Sequence, residues 1–358
     1  MINTFLHRSS DNSMKVRTLV DFIERVGSEI QDHLATVSDT VLKDHNLKSE
    51  IGEPPVLDVA AKPEPTDEQK LWEDEIAKKA EEINAHREPQ EQIKDMENLP
   101  LLESPQDKCC YISIDDIGVK HQKETRKDGG TKSTKNVENT VIHIQSNDES
   151  YYLTASGMEN AFRMLMAFLL ANNLMLGYSL IFFADGAKNI KNSIEKYFSN
   201  LPYTLILDWY HLRKKCKELI SSSLNGTKEQ KNDYIKRLLH MLWVGNVKEA
   251  ILYLNGFDEK QIKSRHWLGE LIGYLERKEA QIVCYALRHE LGLRISSNRV
   301  EKANDRLVAQ RQKHNGMSWS YEGSGSLASI TMVMINNDTD RWLRSHSLSF
   351  SMPEKAAA

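Results

Sequence analysis

Three short apolar runs, each closing on an acid, constrain this chain more than any other feature of its sequence. "YISID" ends at Asp115, "LIFFAD" at Asp185 and "YTLILD" at Asp208. Short runs of β-branched and aromatic residues bounded by polar ones read as buried strands. After Asp185 come Gly186 and "AKNIKNSIEKYF", with helical spacing; after Asp208 comes the basic helix of "LRKKCKEL" from Leu212. Upstream, "CCYISIDDIGVKH" reads as one strand and the start of a second, turning near Asp116–Gly118. "TVIHIQSNDESYYLTAS" reads as two short strands, or one long one, with a turn at Asn147–Asp148, and "GMENAFRMLMAFLLANNLM" reads as an apolar helix. Antiparallel-looking strands followed by alternating strand and helix imply an α/β fold, a mixed sheet with helices on its faces.

The flanking sequence divides by composition. Residues 1–50 form a helical N-terminal region: Leu19, Phe22, Ile23, Val26, Ile30, Leu34 and Val37 recur at helical spacing. It is either part of a helix-turn-helix DNA-binding unit or a packing helix. Residues 51–107 are a charged linker or helix, opening with the proline-rich "GEPPVLDVAAKPEPTDEQ". The first part of the sheet domain covers 108–215. Residues 216–290 carry helical spacing and no strand signal, as an all-α insertion, and 291–350 return to the core with "SNRVEKANDRLVAQRQ" as a last helix and an apolar-polar tail.

A length of 358 residues accommodates a sizeable core and two or more domains. No apolar run approaches the roughly 18–20 residues a membrane helix needs, and "MINTFLHRSSDNS" has no apolar signal segment, so the expected compartment is the cytoplasm, with no membrane partner. None of the four cysteines, Cys109, Cys110, Cys216 and Cys284, forms a C-x-x-C pair, which argues against a zinc site and for buried or idle thiols. The net charge of −4 excludes a uniformly basic coat but not a local basic groove.

In open α/β sheets, ligand sites lie outside the carboxyl ends of the strands. Acids gathered there repel one another and are costly to desolvate, and a divalent cation removes that penalty. Hard oxygen ligands suit magnesium or manganese. Asp185 has a plain alternative as the N-cap of the helix after it. A helical acid packed across the strand ends would complete a set. Glu301 and Asp305, one turn apart, both qualify by spacing, and Glu301 also fits a capping box with Asn298 as N-cap. Two ions held by such acids clamp the attacking and leaving oxygens of an in-line phosphoryl displacement. Strand-Asp, strand-Asp, helix-Glu in a mixed sheet is the order of the RNase H-like fold.

From Cys109 to Asn337 the chain resembles bacterial insertion-sequence transposases of the DDE, RNase H-like type, those with a helical insertion before the catalytic Glu. Four strings carry the resemblance in order: "YISIDDIGV", "FFADGAKNIKNSIEKYF", "LILDWYHLRKKCKEL" and "SSNRVEKANDRLVAQRQKHNGMSWSYEGSGSLASI". It implies Asp115, Asp185 and Glu301 as catalytic, metal-binding acids for two Mg2+ or Mn2+ ions, and prefers Glu301 to Asp305. It places Asp208 and His211, a D-x-x-H, near the site. The family has Asp-Gly where this chain has Asp115–Asp116, so Asp116 is a further candidate ligand, although strand alternation points the pair to opposite faces.

Basic residues flank these acids: Lys120, Arg126 and Lys127 in a glycine-containing loop, Arg213, Lys214 and Lys215 after Asp208, and Arg299, Lys302 and Arg306 around Glu301. Such clusters give phosphate contacts without reading sequence. Trp319 and Tyr321 are candidates for stacking on a splayed base, and Trp209 for the same role or the core. The expected function is a DNA transposase acting on the ends of a mobile element, with double-stranded DNA as partner and a homo-oligomer when DNA-bound. The alternatives are an RNase H-like nuclease without strand transfer and an inactive DNA-binding remnant.

Overall fold

A computed structural model describes residues 15–45, 67–94, 102–104, 107–122, 136–313 and 317–353. Its sheet is built from β1 (Cys109–Lys120), β2 (Asn136–Ser146), β3 (Glu149–Ser156), β4 (Ser179–Ala184) and β5 (Tyr203–Leu207), in the order β3-β2-β1-β4-β5. The β1–β2 and β2–β3 pairs are antiparallel, whereas β1–β4 and β4–β5 are parallel. This mixed sheet flanked by helices is RNase H-like. Asn147 and Asp148, at φ 47° and 67°, make the tight turn between β2 and β3, the left-handed pair that a two-residue hairpin of matching twist requires.

One expectation is corrected at β1. The sequence suggests a turn near Asp116–Gly118, yet the strand runs unbroken to Lys120. Asp116, Ile117 and Gly118 pair in register with Thr140, Asn139 and Glu138 of β2. The Thr140 hydroxyl donates to Asp116 Oδ1 at 2.6 Å, so the acid is anchored across the ladder and does not mark a loop.

The helices are α1 (Val16–Asp44), α2 (Asp67–Asn84), α3 (Met158–Ala171), α4 (Lys188–Phe198), α5 (Trp209–Ser223) and α6 (Lys228–Trp243). They continue as α7 (Val247–Asn255), α8 (Arg265–Lys278), α9 (Tyr285–Glu290), α10 (Asn298–Asn304), α11 (Tyr321–Ile335) and α12 (Thr339–Ser345). The segment expected as a polar-apolar tail is thus two helices after α10. Alternation along β4 divides the interior. Leu180, Phe182 and Ala184 enter one core with α3 and α4, where Phe182 meets Phe198 edge-on at 5.0 Å. Ile181 and Phe183 enter the other, shared with α5, α6, α7 and α8. The buried cysteines Cys110 and Cys216 are packing groups in these cores.

Among the described residues of the N-terminal region, 29 form one helix, lodged against α11 and α3. Trp72, Ile76 and Ala80 of the charged α2 pack on Val244, Ala286 and Leu287, so its thin apolar stripe is a docking face. A Cβ on Gly27 would run into the backbone of Ser326 in α11. Alanine favours a helix over glycine by about 1 kcal/mol, but overpacking against backbone costs about 1–3 kcal/mol. Gly27→Ala is therefore expected to lower stability, read as an earlier midpoint in urea unfolding; an unchanged or later midpoint would show that α1 and α11 separate easily.

Candidate active site

Register places Asp115, inside β1, level with Asp185 and Asp208, which follow the ends of β4 and β5. Ser113 stands opposite Phe183 in the β1–β4 pair, and Ala184 opposite Leu207 in the β4–β5 pair. Counted on from these pairs, Asp115 is level with Asp185 and Asp185 with Asp208, just past the ends of both ladders. The backbone continues this order, since the Asp208 N–H donates to Ala184 O at 2.9 Å. Asp115 shares its face with Ser113, and this face is the one α10 covers: Asn304 Nδ2 donates to Asp115 Oδ2.

The acids differ in how much of their charge the protein satisfies. Asp208 is fully buried and saturated. It caps α5 by accepting from the His211 N–H at 2.9 Å, and also accepts from His211 Nδ1 at 3.1 Å and from the Ser297 hydroxyl at 2.9 Å, with a further bond from the Ser297 N–H. Burial works to raise its pKa, and these bonds outweigh burial and hold it below the usual value. Asp208 therefore fastens the start of the α10 segment to the end of β5. Asp185 accepts the Ala187 N–H at 2.7 Å, a local turn that precedes α4; the residue at that helix's N-cap is Ala187. Asp115 is the strained member. Burial first, and then the charge of Asp185, push its pKa up to about 6, against a lowering pull from His211.

His211 stands among these groups. Its Nε2 is 3.8 Å from Glu301 Oε1. The bond to Asp208 raises its pKa most; burial opposes, and the charges of Asp208, Asp185 and Glu301 add to the rise. Glu301 lies in the first turn of α10 with its side chain 37% exposed. The capping box drawn from the sequence does not form: Ser297 is the N-cap and no side chain caps the helix. Asp305, one turn on, is exposed and accepts from Gln310 at 3.0 Å. It opens a π-helical turn, Asp305–Ala309, a local widening often found at functional sites. Asp116 points away from this group, holding Thr140 and receiving Asn189 Nδ2 of α4 at 2.8 Å.

Asn304, Ser297, Tyr274 and Lys278 carry no signal that the sequence reading used. Asn304 was within reach, three residues from Glu301 and so on its helix face. Tyr274 and Lys278 come from α8 of the helical insertion. A Cβ on Gly186 (φ 91°) would lie 2.8 Å from Leu207 Cδ1, 3.4 Å from Lys278 Cε and 3.6 Å from the Tyr274 hydroxyl, so the turn after Asp185 requires glycine. Lys278 is only 8% exposed. Burial first, then Lys191, lowers its pKa, while Asp185 favours its charge.

Among the basic candidates, Lys120, Arg213, Lys214, Lys215, Lys302 and Arg306 are exposed. Arg299 is tied to Gln145, and Arg126 and Lys127 lie outside the described residues. Trp319 donates its indole N–H to Gln312 O at 3.0 Å and packs against the core, while Tyr321 stays exposed over His121 at 4.7 Å. Trp209 is wedged between Trp243 and Tyr285.

The donors at the strand ends suit a hard cation in kind, and the raised pKa of Asp115 marks charge that a cation would relieve. In position they are open: among the described residues no three acidic, histidine or cysteine side chains converge to enclose an ion. The same electrostatics predict a stability profile. Asp115 binds a proton more tightly folded than unfolded, so with chelator present stability falls as pH rises from about 4 to 6. Asp115→Asn keeps an acceptor for Asn304 and removes the charge. It is expected to gain about 3 kcal/mol at pH 7 and to flatten that part of the profile in urea unfolding; equal wild-type and variant profiles would contradict the burial of this charge.

No family profile matches the chain, and no curated protein does. Among solved structures, the Drosophila P element transposase strand transfer complex aligns over 90% of this chain and 83% of that one, at 8% identity and a TM-score of 0.22. A likeness at that TM-score carries no argument about this chain.

Proposed function

We propose that the chain is a DNA transposase that cuts strands at the ends of a mobile element and joins the freed 3′ ends to new DNA. One observation carries this reading. Asp115 and Asp185 each lie two residues past the last β1–β4 pair, Ser113 with Phe183, close enough for their charges to act on each other and on His211, and Glu301 approaches His211 from α10. Asp115, Asp185 and Glu301 would hold Mg2+ or Mn2+, which when bound lowers the pKa of an attacking water or 3′-hydroxyl and neutralises charge on the leaving oxygen. The chain's own groups supply the rest. Asp208 fixes His211 and Ser297, and with them the start of the Glu301 helix. Asn304 orients Asp115. His211, whose bond to Asp208 and acidic neighbours favour its charged form, stands beside Asp185 and Glu301, where a substrate phosphate would lie. Arg213, Lys214, Lys215, Lys302 and Arg306 would hold the DNA backbone. Cutting two element ends together would take at least two protomers.

The test is cleavage and joining of element-end DNA with magnesium, comparing the wild type with Asp185→Asn. Joined products lost in the variant support transposition, whereas nicked products without joining favour a nuclease. The open arrangement of the acids favours a second reading, a DNA-binding remnant without catalysis. Calorimetric titration of the DNA-bound protein with magnesium separates the two: binding lost in Asp115→Asn/Glu301→Gln counts against the remnant.

A further inference from the structure

Away from the strand-end acids, two arginines converge on one neutral oxygen. Arg294, just before α10, and Arg299, within it, both donate to Gln145 Oε1 of β2. Neither takes part in an ion pair among the described residues. The Arg294 guanidinium carbon also lies over the Tyr111 ring, 4.2 Å from its centre. Burial first, and then the charge of Arg299, lower its pKa to about 10, while Tyr111 and Asp148 at the β2–β3 turn favour its charge. His143, two residues from Gln145 on the same face, is 1% exposed and leaves Nδ1 without a partner. Its pKa is down near 3, through burial and then the two arginines.

Two guanidiniums held close together, partly desolvated and sharing a single neutral acceptor are electrostatically incomplete. A carbonyl oxygen offers no charge to balance them, and the remaining N–H groups have the fork geometry that a phosphate matches. The ordering is built in: the Arg288 guanidinium holds Arg294 O at 2.7 Å, and the Tyr111 ring lies under the Arg294 guanidinium. We propose that Arg294 and Arg299, set by Gln145 and Tyr111, form a binding site for a phosphate group of a nucleic-acid strand.

This assignment rests on the DNA-cutting reading for its source of phosphate. Gln145 pairs with Tyr111, four residues along β1 from Asp115, a distance of about 13 Å at roughly 3.3 Å per residue. That equals about four rises of 3.4 Å along a DNA strand. The site would therefore hold the backbone a few nucleotides from a phosphate at the acids and set where along the strand the chemistry falls.

The experiment measures affinity for a duplex oligonucleotide against salt concentration. Arg294→Gln is expected to weaken binding about fivefold to tenfold at 0.1 M salt and to reduce the slope of log K on log[salt] by about one. Arg294→Lys keeps the charge and is expected to restore the slope with only part of the affinity. An unchanged slope in an Arg294→Gln protein that melts like the wild type overturns the proposal. If Arg294→Gln fails to fold, Arg299→Gln on the exposed side carries the same measurement. Inorganic phosphate tests the source: if it raises the melting temperature of the wild type and not of the variant while the DNA slope is unchanged, the site takes free phosphate and the strand assignment falls. A reduced slope in a protein that never cleaves DNA overturns the functional reading and leaves this site standing. Cleavage with an unchanged slope overturns this site alone.

Discussion

Asp185→Asn is expected to lower magnesium-dependent DNA cleavage by about a thousandfold or more, with affinity for DNA changed by no more than about twofold. The substitution is close to isosteric, and its amide oxygen can still accept the Ala187 N–H that Asp185 Oδ1 accepts at 2.7 Å. The loop and Gly186 therefore stay in place, and what disappears is charge beside Asp115. A charged ligand contributes several kcal/mol to transition-state stabilisation, and about 4 kcal/mol corresponds to about a thousandfold in rate. The charge of Asp185 also helps hold the Asp115 pKa near 6, so the variant should shift that group downward. The control is Asp116→Asn. Asp116 faces Thr140 and Asn189 on the opposite side of the strand, so its loss should alter cleavage little beyond any change in stability. Cleavage surviving unchanged in Asp185→Asn would remove the basis of the catalytic reading.

The second large effect is structural. Glu103→Ala is expected to cost about 3–5 kcal/mol of stability, the range for stripping one partner from a buried ion pair. Arg288 is 1% exposed and donates Nη1 to Glu103 Oε2 at 2.9 Å and Nη2 to the other oxygen. Without Glu103 the guanidinium keeps only the bond from Nε to Arg294 O, and a charge is left in the interior. Replacing both residues, as Arg288→Met with Glu103→Leu, should recover most of the loss, because the desolvation cost of the pair leaves with it. Urea unfolding of the single and double variants measures the coupling. A single variant within about 1 kcal/mol of the wild type would mean that water reaches this pair. Arg288 also steadies Arg294, so Glu103→Ala should weaken DNA binding through the same segment.

The fold class was legible because each strand signal is local. An apolar run such as "LIFFAD" is buried on both faces wherever it pairs, and the helices between runs show their own period. The hairpin at Asn147–Asp148 was legible for the same reason, since both residue types tolerate positive φ. The turn expected at Asp116–Gly118 failed because pairing with β2 overrides local turn chemistry. The capping box at Asn298 failed because the Ser297 N–H and hydroxyl are claimed by Asp208, 89 residues away. A single sequence gives no sign of that competition.

By itself the sequence determined that Asp185 and Asp208 close strands, where helices alternate with strands, and that a helical segment separates Asp208 from Glu301. Those properties depend on neighbours a few positions away. The tertiary structure alone decided how the acids differ. It tied Asp208 to His211 and Ser297, and left Asp115 strained beside Asp185 with Asn304 against it. It also brought Lys278 and Tyr274 from the insertion to Gly186, and set Arg294 and Arg299 against Gln145. Burial and charge act through space, so the state of an acid depends on groups that only folding brings near it.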